Sequence, residues 1–165
     1  MSHNNDGKKT YKMESSYSAL TVEEVNDWPC LAKEDYGMTK RAAEYFGIKS
    51  KLCEKTGDKI VKTAYPSYDQ QGNIDGYKIR DWTVPREHKF HILSVGNVTI
   101  GNKLFGQQQI ENISPNRKKI VMVEGEGDVV SAWEAAMQYL DGTKWAGKII
   151  PCIVGLQLGT TNAVA

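Results

Sequence analysis

Apolar residues recur along this chain with two different periods, and the switch between them divides it. Over residues 39–46 the spacing is helical, with Ala42, Ala43 and Phe46 on one side and Gly47 as the stop. Ahead of it, Thr21-Val22-Glu23-Glu24 has the form of a capping box and predicts a short helix that is over by Pro29. From Lys59 the period becomes two. Residues 60–68 and 74–82 read as strands, and Asp69-Gln70-Gln71-Gly72-Asn73 between them predicts an antiparallel hairpin with a slightly long loop. Alternation places Lys78, Arg80 and Trp82 on one face of the second strand, with Tyr77, Ile79 and Asp81 on the other. Beyond residue 90 a polar, glycine-bearing stretch without clear period reaches Leu104-Phe105-Gly106.

The second half carries the sharpest pattern. Lys118-Lys119-Ile120-Val121-Met122-Val123 reads as a buried strand, broken by Glu124-Gly125-Glu126-Gly127-Asp128. Val129, Val130, Trp133, Ala136, Met137 and Leu140 then make one face of a helix that stops near Gly142, with Asp128 at its N-cap. Lys148-Ile149-Ile150-Pro151-Cys152-Ile153-Val154 is a further apolar strand, so strand, helix and strand form one βαβ unit with parallel strands. Two parallel strands cannot cover both faces of a sheet, which predicts an incomplete domain with uncovered apolar surface near residues 149–158.

Candidate chemistry sits where these elements end. Glu124 at the strand end and Asp128 at the helix start project from the carboxyl edge of the sheet, the place where open α/β folds hold ligands. The glycines around Glu126 leave room for a phosphate or hydrated ion to approach. Taken alone, a helix cap and a solvated strand end are an equal reading of these carboxylates. Lys78 and Arg80 beside Trp82 suit a phosphate backbone or a stacked base, against the alternative of a solvated edge strand protected by charge. His88 and His91 lie in a loop or strand context with no third ligand nearby, and are not read as a metal site.

Charge narrows little, because 165 residues with a formal net charge of +1 leave any nucleic-acid contact to a local patch. Cys30, Cys53 and Cys152 are odd in number and widely spaced, which argues against a disulfide framework and a zinc site and for free thiols. No apolar run has the length of a membrane span, and the polar first 18 residues read as a tail.

In order, Met38-Thr39-Lys40, Tyr68-Asp69-Gln70-Gln71-Gly72-Asn73, Lys78-Ile79-Arg80-Asp81, Leu104-Phe105-Gly106-Gln107 and the segment 119–128 resemble the primase part of bacteriophage primase-helicases, an architecture shared with Twinkle-like helicases. The resemblance implies an α+β N-terminal subdomain containing the antiparallel hairpin, followed by a truncated α/β Toprim (Rossmann-like) domain. The expected divisions are a polar tail and short helix at 1–36, a basic subdomain at 37–116, and the start of the Toprim domain at 117–165. It also implies that Glu124 and Asp128 are catalytic residues and a partial Mg²⁺ site. Lys78, Arg80 and Trp82 would face nucleotide and template, together with Lys89 and Phe90 of a following basic-aromatic segment.

The activity so implied is synthesis of RNA primers on single-stranded DNA from ribonucleoside triphosphates during DNA replication, in the cytoplasm of an infected bacterial host. Three parts of that family's plan are absent from the sequence: a cysteine-rich zinc module ahead of Gly37, an Asp-x-Asp motif after the acidic turn, and the G-x-x-x-x-G-K-[ST] loop of a helicase motor. The expectation is therefore a fragment, inactive alone and completed by missing C-terminal Toprim and helicase parts. The rival readings are a non-catalytic module that binds single-stranded DNA or docks a helicase, and a piece of a Toprim nuclease or topoisomerase.

Overall fold

A computed structural model describes residues 20–88, 91–98, 104–112 and 119–156. The architecture is α+β, with a four-stranded antiparallel sheet, a smaller three-stranded sheet and a few helices.

Helix α1 (Val22–Asn26) forms through the expected box: the Glu24 amide donates to Thr21 Oγ1 at 3.2 Å, and the Thr21 amide donates to Glu24 Oε2 at 2.7 Å. Helix α2 (Lys40–Phe46) is capped by Thr39 and ends at Gly47, whose φ of 66° is a left-handed value that favours glycine. Strand β1 (Lys49–Leu52) follows, then the predicted hairpin of β2 (Ile60–Tyr68) and β3 (Ile74–Asp81). The Asp69 carboxylate organises its turn by accepting from the Gln71 and Asn73 amides at 2.9 and 2.8 Å. Strand β4 (Ile92–Gly96) completes the order β1-β2-β3-β4. It lies in the stretch that showed no clear period in the sequence.

In the smaller sheet β5 (Leu104–Phe105), β6 (Ile120–Val123) and β7 (Cys152–Leu156) stand in the order β5-β7-β6. β6 and β7 are parallel, joined through α3 (Glu126–Asp141), so the βαβ unit is present. A third strand adds to it, because β5 pairs antiparallel with β7. That addition reverses the burial expected of the apolar strands. β7 is central and buried, whereas β6 is an edge strand with Ile120, Val121 and Met122 exposed to 47, 51 and 62%. Of the stretch expected to lie open, Ile150 at 58% is exposed, and 157–158 fall outside the described residues.

One buried cluster fastens the two sheets to each other. Phe46 of α2, Tyr65 of β2, Phe105 of β5, Trp133 of α3 and Ile153 of β7 all belong to it, with Phe46 and Phe105 stacked at 5.2 Å. A second cluster places Val25 of α1 against Tyr77, Ile79 and Val95, so α1 covers the apolar face of β3. The opposite face of β3, which carries Lys78 and Arg80, is thereby turned toward the smaller sheet. Cys30, Cys53 and Cys152 are free thiols. Among the described residues no helix is long and apolar enough to cross a membrane.

Candidate nucleotide and nucleic-acid site

The acidic turn begins where the apolar run of β6 ends. Gly125, extended at φ −141° and ψ 172°, is the N-cap of α3, and its carbonyl accepts the first helical bond from Val129 at 3.1 Å. Helix α3 thus starts one turn earlier than the apolar pattern implied. Asp128 is consequently not the N-cap but the third helical residue, from which its carboxylate accepts the Gly125 amide at 3.2 Å. The physical reason is the reach of that side chain, which satisfies an otherwise orphan donor from inside the helix and lets a glycine occupy the cap. Glu124 and Asp128 are both exposed. The turn is held close to the sheet by Gly155 of β7, where an added Cβ would lie 2.6 Å from Val129 Cγ2 and 3.0 Å from the Gly125 carbonyl oxygen.

The cations come from an interior strand. β3 pairs with β2 on one side and β4 on the other, so Lys78 and Arg80 do not guard a sheet edge, and the edge-strand reading of them falls. Lys78 reaches across to the smaller sheet and donates to both carboxylate oxygens of Glu126, at 2.8 and 3.0 Å. Glu126 is only 7% exposed. Burial raises its carboxyl above the ordinary value, Lys78 opposes that shift, and the nearby Asp128 charge adds to it.

Arg80 and Trp82 meet, with the guanidinium carbon 5.2 Å from the indole centroid. Lys33 Nζ lies 4.5 Å from the same ring, and the indole N–H donates to Thr63 Oγ1 at 2.8 Å. Tyr36 meets Trp82 edge-on at 4.7 Å. The same tyrosine fills the space at Gly127, where an added Cβ would be 3.1 Å from Tyr36 Cε1. The room expected there for a phosphate or hydrated ion is therefore taken by an aromatic ring. On the other face of β3, Asp81 pairs with Lys62 and accepts from Thr83 Oγ1 at 2.6 Å. Burial works to raise the Asp81 carboxyl, and these partners outweigh it and hold it below the ordinary value.

The structure thus brings together Lys78, Arg80 and Trp82 with the acidic turn through Glu126, and adds Lys33 and Tyr36. Lys89 and Phe90 lie outside the described residues. Glu126 was hidden in the sequence because its burial depends on a strand some 48 residues earlier, although a third acid between two glycines was a visible signal. Tyr36 had none beyond its place before Gly37.

Among the described residues no three His, Cys, Asp or Glu side chains converge as a metal set. Glu124 and Asp128 remain as two exposed oxygen donors flanking Glu126. That donor chemistry fits Mg²⁺, which commonly takes one or two carboxylates and fills its remaining positions with water and substrate phosphates.

No protein-family model matches the sequence, and no curated protein matches it. Solved structures share the fold, two from bacteriophage T7 among them. The chain is similar to the primase fragment of the bacteriophage T7 primase-helicase protein, with 22% identity and a TM-score of 0.57 over 91% of this chain and 52% of that one. It is also similar, at 24% identity and a TM-score of 0.55, to a chain from a bacteriophage T7 complex, covering 89% of this chain and 54% of that one. In that complex the lagging-strand DNA polymerase interacts with primase domains of two subunits bound to an RNA/DNA hybrid and dTTP. The chain spans about half the length of these structures.

Proposed function

We propose that this chain carries the nucleotide- and template-holding part of a phage-type DNA primase, acting on single-stranded DNA and ribonucleoside triphosphates in an infected bacterial host. The observation that carries the reading is the Lys78–Glu126 contact, which sets a basic strand against an acidic turn inside a primase-like fold. Primer synthesis joins a ribose hydroxyl to a nucleoside triphosphate, so it needs cations for the phosphates and carboxylates for Mg²⁺ at one place. Arg80, with Lys33 close by on the Trp82 ring, supplies positive charge at the end of β3. Glu124 and Asp128 would hold Mg²⁺, the start of a Toprim-type site, and the bound ion would neutralise charge on the transferred phosphate. The remaining metal-binding carboxylates and a helicase motor would come from further Toprim and helicase parts of the same family plan.

Two measurements test this. The chain should bind a single-stranded oligonucleotide or a nucleoside triphosphate with an affinity that falls as salt rises, because each phosphate contact releases counterions. In the protein joined to its remaining primase parts, Glu124→Gln should abolish template-dependent primer synthesis and leave folding and oligonucleotide binding intact. Binding to neither ligand, or undiminished synthesis by the Glu124→Gln protein, would overturn the reading.

A further inference from the structure

We propose that Tyr36, rather than Trp82, is the platform on which a nucleobase stacks; this rests on the nucleotide-binding reading above. Trp82 is already engaged, with Lys33 and Arg80 on its ring and its N–H on Thr63. Tyr36 is different in being half exposed, at 50%. It stands between the two halves of the site, in contact with Trp82 at the end of β3 and lying against Gly127 in the first turn of α3. A planar base set on this ring has the cations of β3 on one side and the exposed carboxylates of the acidic turn on the other.

The turn that holds Tyr36 is tied by its own backbone. Lys33 and Met38 bridge through reciprocal backbone bonds of 2.8 and 3.2 Å, the Tyr36 amide donates to the Lys33 carbonyl at 2.9 Å, and the Gly37 amide to that of Glu34 at 3.0 Å. Gly37 sits at φ 69°, with Ser131 Oγ of α3 3.1 Å from where a Cβ would be, so the turn is fastened to the same helix that carries the acidic turn. A fixed exposed ring gains stacking energy without the entropic cost of being ordered on binding. Gly127 is part of the device, since a Cβ there would lie 3.1 Å from Tyr36 Cε1 and crowd the ring.

The test is equilibrium binding of ATP, a short single-stranded oligonucleotide and inorganic tripolyphosphate to the chain and its variants. Tyr36→Ala and Tyr36→Leu should bind the base-bearing ligand about ten-fold more weakly. Both should bind tripolyphosphate like wild type, and Tyr36→Phe should match wild type throughout. If the loss falls on ATP the platform serves a free nucleotide, and if on the oligonucleotide a strand base; either supports it. Unchanged binding of both base-bearing ligands, or an equal loss of tripolyphosphate, would show that Tyr36 only supports the fold. A wild-type chain that binds none of the three would instead remove the nucleotide-binding reading as a whole.

Discussion

Lys78 has to satisfy a strand and a site at once, and its partner decides how. Its side chain is 13% exposed and that of Glu126 9%, so the pair is largely shielded from the water that weakens surface ion pairs. Removing one member leaves a desolvated charge without compensation, whereas replacing both leaves none. Lys78→Met alone should therefore cost about 3 kcal/mol of unfolding free energy, and Lys78→Met with Glu126→Leu should cost much less. Denaturant titration of the two single variants and the double variant measures the coupling; strictly additive losses would mean that the contact contributes nothing as a pair. The contact also bears on the site. Glu126 neutralises the lysine closest to the acidic turn, leaving Arg80 and a ligand-displaced Lys78 as the cations a phosphate would meet.

At the scale of elements, the sequence was most legible where local rules decide. Both N-terminal helices, the hairpin and the βαβ unit follow from caps, alternation and turn chemistry, all of which act within a few residues. Strand β4 and the pairing of β5 with β7 were not legible, since a five-residue and a two-residue strand exist only by virtue of partners far along the chain. The same limit reversed the burial expected of the apolar strands: composition marked β6 as buried, yet sheet order made it an edge. In the site, Glu124, Asp128, Lys78, Arg80 and Trp82 could be singled out by residue type, while Glu126 and Tyr36 acquire their places only through tertiary packing. The junction of α2 and α3 shows such packing in electrostatic form. Glu134 of α3 accepts from Arg41 at 2.7 Å and from Thr39 Oγ1 at 2.8 Å. Burial works to raise its carboxyl, but Arg41 and Thr39 outweigh it and hold it below the ordinary value of 4.5. A depressed carboxyl stabilises the fold fully above that ordinary value and loses its contribution as pH falls through the folded one. Glu134→Gln should accordingly cost about 2 kcal/mol near neutrality. Its melting temperature should converge on that of wild type as the pH is lowered below 4.5, and a gap that persists unchanged in acid would rule the ion pair out as the cause.

At the scale of the whole molecule, the question is whether the basic and acidic parts fold as one. The boundary near residue 116 that the sequence resemblance implies divides the chain into two parts, and the packing joins what lies on either side of it in one core. Phe46 of α2 and Tyr65 of β2 belong to the same buried cluster as Phe105, Trp133 and Ile153, and Tyr45 stacks on Trp133 at 4.4 Å. Neither sheet buries its inner face without the other, because α2 and β2 cover side chains of α3 and β7. The Lys78–Glu126 and Arg41–Glu134 pairs cross the same junction. Unfolding should therefore be a single cooperative transition, with coincident curves from far-ultraviolet dichroism and tryptophan fluorescence and equal calorimetric and van't Hoff enthalpies. Phe46→Ala gives the sharper version of the test. Deleting this fully buried ring should cost about 3–5 kcal/mol. If the junction is a shared core, the loss lowers the whole transition, shifting dichroism and fluorescence by the same amount. If the parts are independent, the curve splits, and only the transition of the part that contains Phe46 and the four-stranded sheet moves. Because the site lies across this junction, the first result would also mean that the spacing between its cations and carboxylates is maintained by the stability of the whole fold.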